Sequence, residues 1–197
     1  MFNIVLFGAP GAGKGTQALL LAEKFDLIHL STGDMLRNEI ASGSRLGQQA
    51  QNIISKGELV SDELVINMIR ERIERHPDAK GFIFDGFPRT QAQARELDRL
   101  LQEKDMKVAA MVALEVDPAE LTCRLMKRGE SSGRPDDNSI EIIGNRIEVY
   151  NRKTTPVIEY YRAQEKYHPV DGLGHIKDVS QRLNKLTESL LSQSVAG

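Results

Sequence analysis

The sequence predicts an α/β fold in which a parallel sheet is layered between helices, and three observations carry that prediction. Residues 4–7 form an apolar run that passes through Gly8-Ala9-Pro10-Gly11-Ala12-Gly13 into a helical segment beginning at Lys14. A second run, residues 82–84, closes on Asp85, and a third, residues 108–116, closes on Asp117-Pro118. Each run is short, mainly apolar and followed by a helical pattern, as strands covered by helices on both faces are.

At 197 residues, with 40% apolar and 27% charged residues, the chain fits one globular domain with a substantial core. A net charge of -2 argues against a nucleic-acid partner. The lone Cys123 cannot form an internal disulfide or a cysteine-built zinc site, which fits a reducing cytoplasm. No run reaches membrane-spanning length, and the first residues lack a signal-peptide layout. Residues 192–197 are small and expected to fray.

The segment from Gly8 to Lys14 matches the phosphate-binding loop G-x-x-x-x-G-K in its required strand–loop–helix setting. Small residues let successive backbone N–H groups converge on an anion, and the helix N-terminus adds its own donors. A plain glycine turn is the bland alternative, and it leaves the placed lysine unexplained. The general pattern wants Ser or Thr directly after the lysine, to hold magnesium; here Gly15 intervenes before Thr16.

Leu19, Leu20, Ala22 and Phe25 form a helical stripe after the loop, and residues 27–30 a brief strand. His29 in that strand reads as a core or strand-end residue. Ser31-Thr32-Gly33-Asp34 opens the next helix with cap-type residues, and Gly43, Gly47 and Gly57 break a polar helical stretch. So weakly apolar a pair of helices is expected to stand off the core as a small mobile excursion. Ser61 caps a strongly periodic helix that carries Leu64, Val65, Met68, Ile69 and Ile73.

Asp85 sits where a buried parallel strand emerges, the place for a carboxylate facing a phosphate loop. Arg89 leaves the same strand end through Gly86-Phe87-Pro88, and Gln93 lies one turn into the next helix. Further on, Arg124 and Arg128 share a helix face and repel each other unless an anion lies near, although a solvated pair is equally compatible. Residues 129–138 are polar, without an apolar anchor, and read as a flexible flap ending beyond Arg134. A helical region is expected from there to about Tyr167, interrupted at Pro156, then a short strand near Val170 and an amphipathic helix with Leu183, Leu186 and Leu190. His76, His168 and His175 receive no chemical role.

Five motifs in order resemble adenylate kinase, the short-flap form among nucleoside monophosphate kinases. They are the loop from Gly8 to Thr16, Ser31-Thr32-Gly33-Asp34, Asp85-Gly86-Phe87-Pro88-Arg89-Thr90 with Gln93, Gly133-Arg134-Pro135-Asp136-Asp137, and Asp171-Gly172. The resemblance spans nearly the whole chain. It implies a three-layer P-loop NTPase-type fold with a five-stranded sheet in the order 2-3-1-4-5, an AMP-binding excursion over residues 31–60 and a flap over residues 128–138.

The resemblance also implies the site. Gly11, Ala12, Gly13, Lys14, Gly15 and Thr16 would hold the ATP phosphates, with Arg124, Arg128 and the backbone of Gly174 completing the ATP side. Thr32, Arg37, Glu58, Leu59, Val60, Gly86, Phe87, Pro88, Arg89 and Gln93 would hold AMP, joined by Arg134 and Arg146. Lys14, Arg89, Arg124, Arg128, Arg134 and Arg146 would act in the transfer, and Asp85 would hold Mg2+ through water. A cytoplasmic monomer is expected, with ATP, AMP and ADP as its partners and neither a nucleic acid nor a membrane among them. A UMP/CMP kinase and a non-enzymatic ATP-binding scaffold are the competing readings. A regulatory GTPase is disfavoured, because no guanine-reading Asn/Thr-Lys-x-Asp follows Asp171.

Overall fold

A computed structural model describes residues 1–132, 134–137 and 139–196. The flap residues Gly133 and Asn138 and the terminal Gly197 lie outside the described residues. The first strand, β1 (Asn3–Phe7), alternates its side chains between two cores: Val5 and Phe7 join one buried cluster, Ile4 and Leu6 the other. That period of two lets one apolar run support helices on both faces. β2 (Ile28–Ser31), β3 (Phe82–Asp85), β4 (Val108–Glu115) and β5 (Tyr167–Asp171) complete an all-parallel sheet in the order β2-β3-β1-β4-β5. This is the expected topology.

Register decides what meets at the carboxyl edge. Ser31 pairs with Asp85 across β2 and β3, and Leu6 pairs with Asp85 across β1 and β3. The ends of these three strands therefore open side by side, and the loops leaving them share one crevice. α1 (Lys14–Phe25) and α9 (Ile176–Ala196) cover one face, with Ala18, Leu21, Val179 and Leu183 buried against Ile4 and Leu6. α4 (Asp62–Glu74), α5 (Gln91–Gln102) and α8 (Val157–Arg162) cover the other through Ile69, Leu97, Val157 and Tyr161.

Four expectations are corrected. The excursion, α2 (Thr32–Ala41) and α3 (Arg45–Ile54), is tied to the main core, because Leu36, Ala50 and Val60 belong to the same buried cluster as Phe84. Few apolar residues suffice when they share one face. Gly47 is no break: it lies inside α3, where a Cβ would come within 2.0 Å of the Glu39 carbonyl oxygen, so its missing side chain lets α2 and α3 touch. Ser61 precedes α4 without a capping side-chain hydrogen bond. The region expected to stay helical to Tyr167 does not. α7 (Ile140–Val149) widens into a π turn at Tyr150–Thr154 just before Pro156, whose ring nitrogen has no proton to continue the ladder. α8 then ends at Arg162, and Tyr167 opens β5.

Candidate active site

The loop after β1 takes the conformation that its glycines permit. Gly11 and Gly13 have φ of 88° and 90°, and a Cβ on Gly11 would press to 2.9 Å from the Leu121 carbonyl oxygen. Gly13 is the cap of α1, whose first N–H groups open toward the crevice. The Lys14 ammonium folds back onto the loop, donating to the carbonyls of Gly8 (2.8 Å) and Ala9 (3.0 Å). Burial pushes its pKa down to about 8. Asp85 opposes that shift, while Arg89, Arg146 and Arg128 add to it.

Asp85 ends β3 buried, with Oδ2 3.3 Å from Nε2 of His29. Oδ2 also lies 3.6 Å from where a Gly15 side chain would begin, so the carboxylate faces the loop directly. His29 is thus a strand-end residue, as expected, and its partner is the acidic group of the crevice.

The turn after β3 is built around the Gly86 carbonyl, which accepts from Thr32 Oγ1 at 2.8 Å and from Arg89 Nε at 2.7 Å. Gly86 has φ of 73°, and a Cβ there would come within 3.0 Å of both partners. Phe87-Pro88 is a cis peptide. Thr32, which could have been a simple cap, is instead the link between the excursion and this turn; Ser31 caps α2. Gln93 is buried. Its Oε1 accepts from the Arg89 backbone N–H at 2.7 Å, and its Nε2 donates to Asp62 at 2.8 Å.

Two cavities meet here. One is lined by Thr32, Arg37, Glu58, Leu59, Val60, Gly86, Arg89 and Gln93, with Leu36, Ile54 and Val65 as apolar walls. The other runs from Gly11, Gly13, Lys14, Gly15 and Thr16 past Asp85 to Arg128 and Arg134. Arg37, Gly86, Arg89 and Arg146 line both. Phe87 and Pro88 lie behind them, on an adjoining pocket with Tyr150. Ala12 is buried in the core, so only its backbone is available to a ligand. Burial and neighbouring arginines push the Arg89 and Arg134 guanidiniums below their usual range. Burial does the same to Arg146, with Asp136 and Asp137 opposing it. Such crowding of like charge is a site waiting for an anion.

Arg124 departs from the group. It lines neither cavity and is instead paired with Glu120 at 2.7 Å, donating to the Gly172 carbonyl at 3.3 Å. Gly174, with φ of 103°, lies on the exposed turn just beyond. The feared repulsion between Arg124 and Arg128 is resolved by separate carboxylates, because Arg128 Nε donates to Asp137 Oδ2 at 2.6 Å.

A family model described as adenylate kinase matches residues 6–166. The chain belongs to the adenylate kinase family. An adenylate kinase of Flavobacterium psychrophilum is 48% identical over 190 residues, covering 96% of this chain and all of that protein. Adenylate kinases of Bacteroides thetaiotaomicron and Caulobacter vibrioides are each 46% identical, over 94% of this chain and at least 97% of their own lengths. Adenylate kinase is a phosphotransferase, which agrees with two cavities sharing one set of cations. Among the described residues no helix is long and apolar enough to cross a membrane.

Sequence reasoning missed several groups in this adenylate kinase site. Leu36, Ile54 and Val65 have only the pattern of packing residues in the sequence, yet they wall the cavity beside Arg37. Asp136 and Asp137 stand in the Gly133-to-Asp137 motif with nothing in the sequence to assign them a role. The structure buries both, Asp137 between Arg128 and Arg146. Asp62 carried no signal, since its partners Thr90 and Gln93 come 28 and 31 residues later.

Proposed function

We propose that the chain catalyses reversible transfer of the γ-phosphoryl group of ATP to AMP, giving two ADP, as a cytoplasmic monomer. One observation carries the reading: the phosphate-loop cavity and the cavity holding Gln93 share Arg37, Arg89 and Arg146. In-line transfer needs a donor and an acceptor phosphate brought together over common positive charge, with little covalent work by the protein. The acceptor phosphate has a second pKa of about 6, so it is already a dianion at neutral pH and needs no general base.

In this reading the backbone of residues 11–16 and the Lys14 ammonium hold the donor phosphates, and Lys14 exchanges its loop carbonyls for phosphate oxygens. The Gly174 backbone attends the base end of ATP, and Arg124, beside it on the Gly172 carbonyl, completes the ATP side of the transfer path. Arg37 and Arg89 hold the acceptor phosphate, with Thr32, Glu58, Leu59, Val60, Gly86, Phe87, Pro88 and Gln93 forming the rest of the AMP site. Arg128, Arg134 and Arg146 neutralise charge on the moving phosphoryl group, which the paired donors of guanidinium suit. The excursion of residues 31–60 and the flap of residues 128–138 close over the substrates and keep water from the donor.

Magnesium fits this donor set. One buried carboxylate facing a phosphate loop, with the exposed Thr16 lining the same cavity, suits a hard cation that keeps its waters and takes substrate phosphate oxygens. Asp85 would hold it through water, and the ion would supply charge neutralisation at the donor phosphates. No cluster of three His, Cys, Asp or Glu side chains is present among the described residues.

Incubating the protein with MgATP and each of AMP, UMP, CMP, GMP and dTMP, and measuring the diphosphates, tests the proposal. AMP should be preferred over UMP and CMP by at least about 100-fold in kcat/KM, since one unpaired buried polar group costs about 1–3 kcal/mol and two are at stake. Equal use of CMP overturns the adenylate reading, and absence of any diphosphate overturns the kinase reading.

A further inference from the structure

Asp62 is the first residue of α4, at the hinge where the excursion returns to the main body, and it is partly buried. Its carboxylate accepts from Thr90 Oγ1 at 3.0 Å and from Gln93 Nε2 at 2.8 Å. The same Thr90 hydroxyl accepts the Gln93 backbone N–H at 3.1 Å, capping α5. Gln93 therefore has its two amide ends on unlike partners, the oxygen on the Arg89 backbone N–H and the nitrogen on Asp62. A backbone N–H only donates and an ionised carboxylate only accepts, so neither contact survives rotation of the amide by 180°. The oxygen keeps one lone pair and the nitrogen one N–H for a ligand.

We infer that Asp62 is a positioning residue for acceptor specificity: it locks the Gln93 carboxamide in the orientation that takes a 6-amino purine and rejects a 6-oxo purine. The inference rests on the reading above that Gln93 faces the acceptor base. Adenine offers an amino donor to the free lone pair and a ring nitrogen to the free N–H, the pairing amides make with this base elsewhere. Hypoxanthine replaces the amino group by an oxygen and the adjacent ring acceptor by an N–H, so it needs the amide reversed. With Asp62 in place the reversal sets oxygen against carboxylate.

The test compares kcat/KM for AMP and IMP, which differ only in that edge. The wild type should favour AMP by about 100-fold or more, two polar contacts being mismatched with IMP. Asp62→Asn offers either a donor or an acceptor to Gln93, and it should lower the AMP:IMP ratio by about tenfold or more, one of the two locks being gone. KM for ATP and the melting temperature are followed in parallel. A merely structural Asp62 would slow both acceptors alike, so an unchanged ratio in Asp62→Asn overturns the inference. Wild-type enzyme that uses IMP within about tenfold of AMP overturns it without any variant. Gln93→Leu separates the two levels: a collapsed ratio supports Gln93 as the base reader, while an unchanged one overturns that reading and the inference with it.

Discussion

Two segments flank the cleft, and they are held by different forces. The excursion of α2 and α3 is fixed from below by Leu36, Ala50 and Val60, which are continuous with the sheet's own core. The flap is held from the side by charge: Asp137 accepts from Arg128 and Arg146, and Arg134 approaches Asp34 at 3.8 Å. Apolar anchoring is insensitive to what enters the cleft. Ionic anchoring is not, because the arginines that hold the flap are the groups a nucleotide phosphate would recruit. A segment clamped by cations that line the cleft can be released and re-formed by an anion entering it, whereas one rooted in the core can only tilt about its ends.

The sharpest way to break the comparison is to remove a cation from each side. Arg89→Ala, at the root of the cavity that holds Gln93, and Arg134→Ala, on the flap, should each lower kcat by about 10³, as loss of a transition-state arginine does. Circular dichroism should show an intact fold, and near-normal turnover in either variant would refute its role. Next comes the clamp itself. Asp137→Ala removes one of the two carboxylates on Arg146, which is only 15% exposed and keeps Asp136 at 2.9 Å, and should destabilise the protein by about 1–3 kcal/mol in urea. In the wild type, hydrogen exchange across residues 128–137 should slow when both nucleotides are bound; unchanged exchange would show that the flap does not respond to substrate.

Leu36→Ala tests the apolar anchor. It should cost about 2 kcal/mol or more in stability, and the loss should be the same with and without added salt, as for a cavity in any core. A salt-dependent loss would mean the excursion is not held by burial.

The smallest effect concerns Lys14. Its pKa of about 8 lies below the ordinary lysine value of 10.5. Below pH 8 the folded and unfolded chains both carry the charge, and burying it disfavours the fold. Between pH 8 and 10.5 the folded chain loses the proton first, so this group's contribution to stability rises with pH. ATP binding runs the other way, since phosphate needs the ammonium. Affinity for ATP should be about tenfold weaker at pH 9 than at pH 7, with proton uptake on binding near pH 8, read by calorimetry in buffers of different ionisation enthalpy. Lys14→Met should abolish the uptake.

The amino-acid sequence by itself determined the layered α/β class, the phosphate loop and the identity of the crowded cations. These depend on neighbours in the chain: glycines at 11 and 13 that accept positive φ, a lysine at the start of α1, an aspartate ending β3, and apolar residues at a period that selects strand or helix. Tertiary structure alone decided the partners. That Gly47 is a contact, that Arg124 turns to Gly172 while Arg128 turns to Asp137, and that Asp62 meets Gln93 follow from which segments the sheet order brings together. Hydrogen bonds and ion pairs act over about 3 Å, and residues 31 or 48 positions apart reach that distance only after the chain has folded.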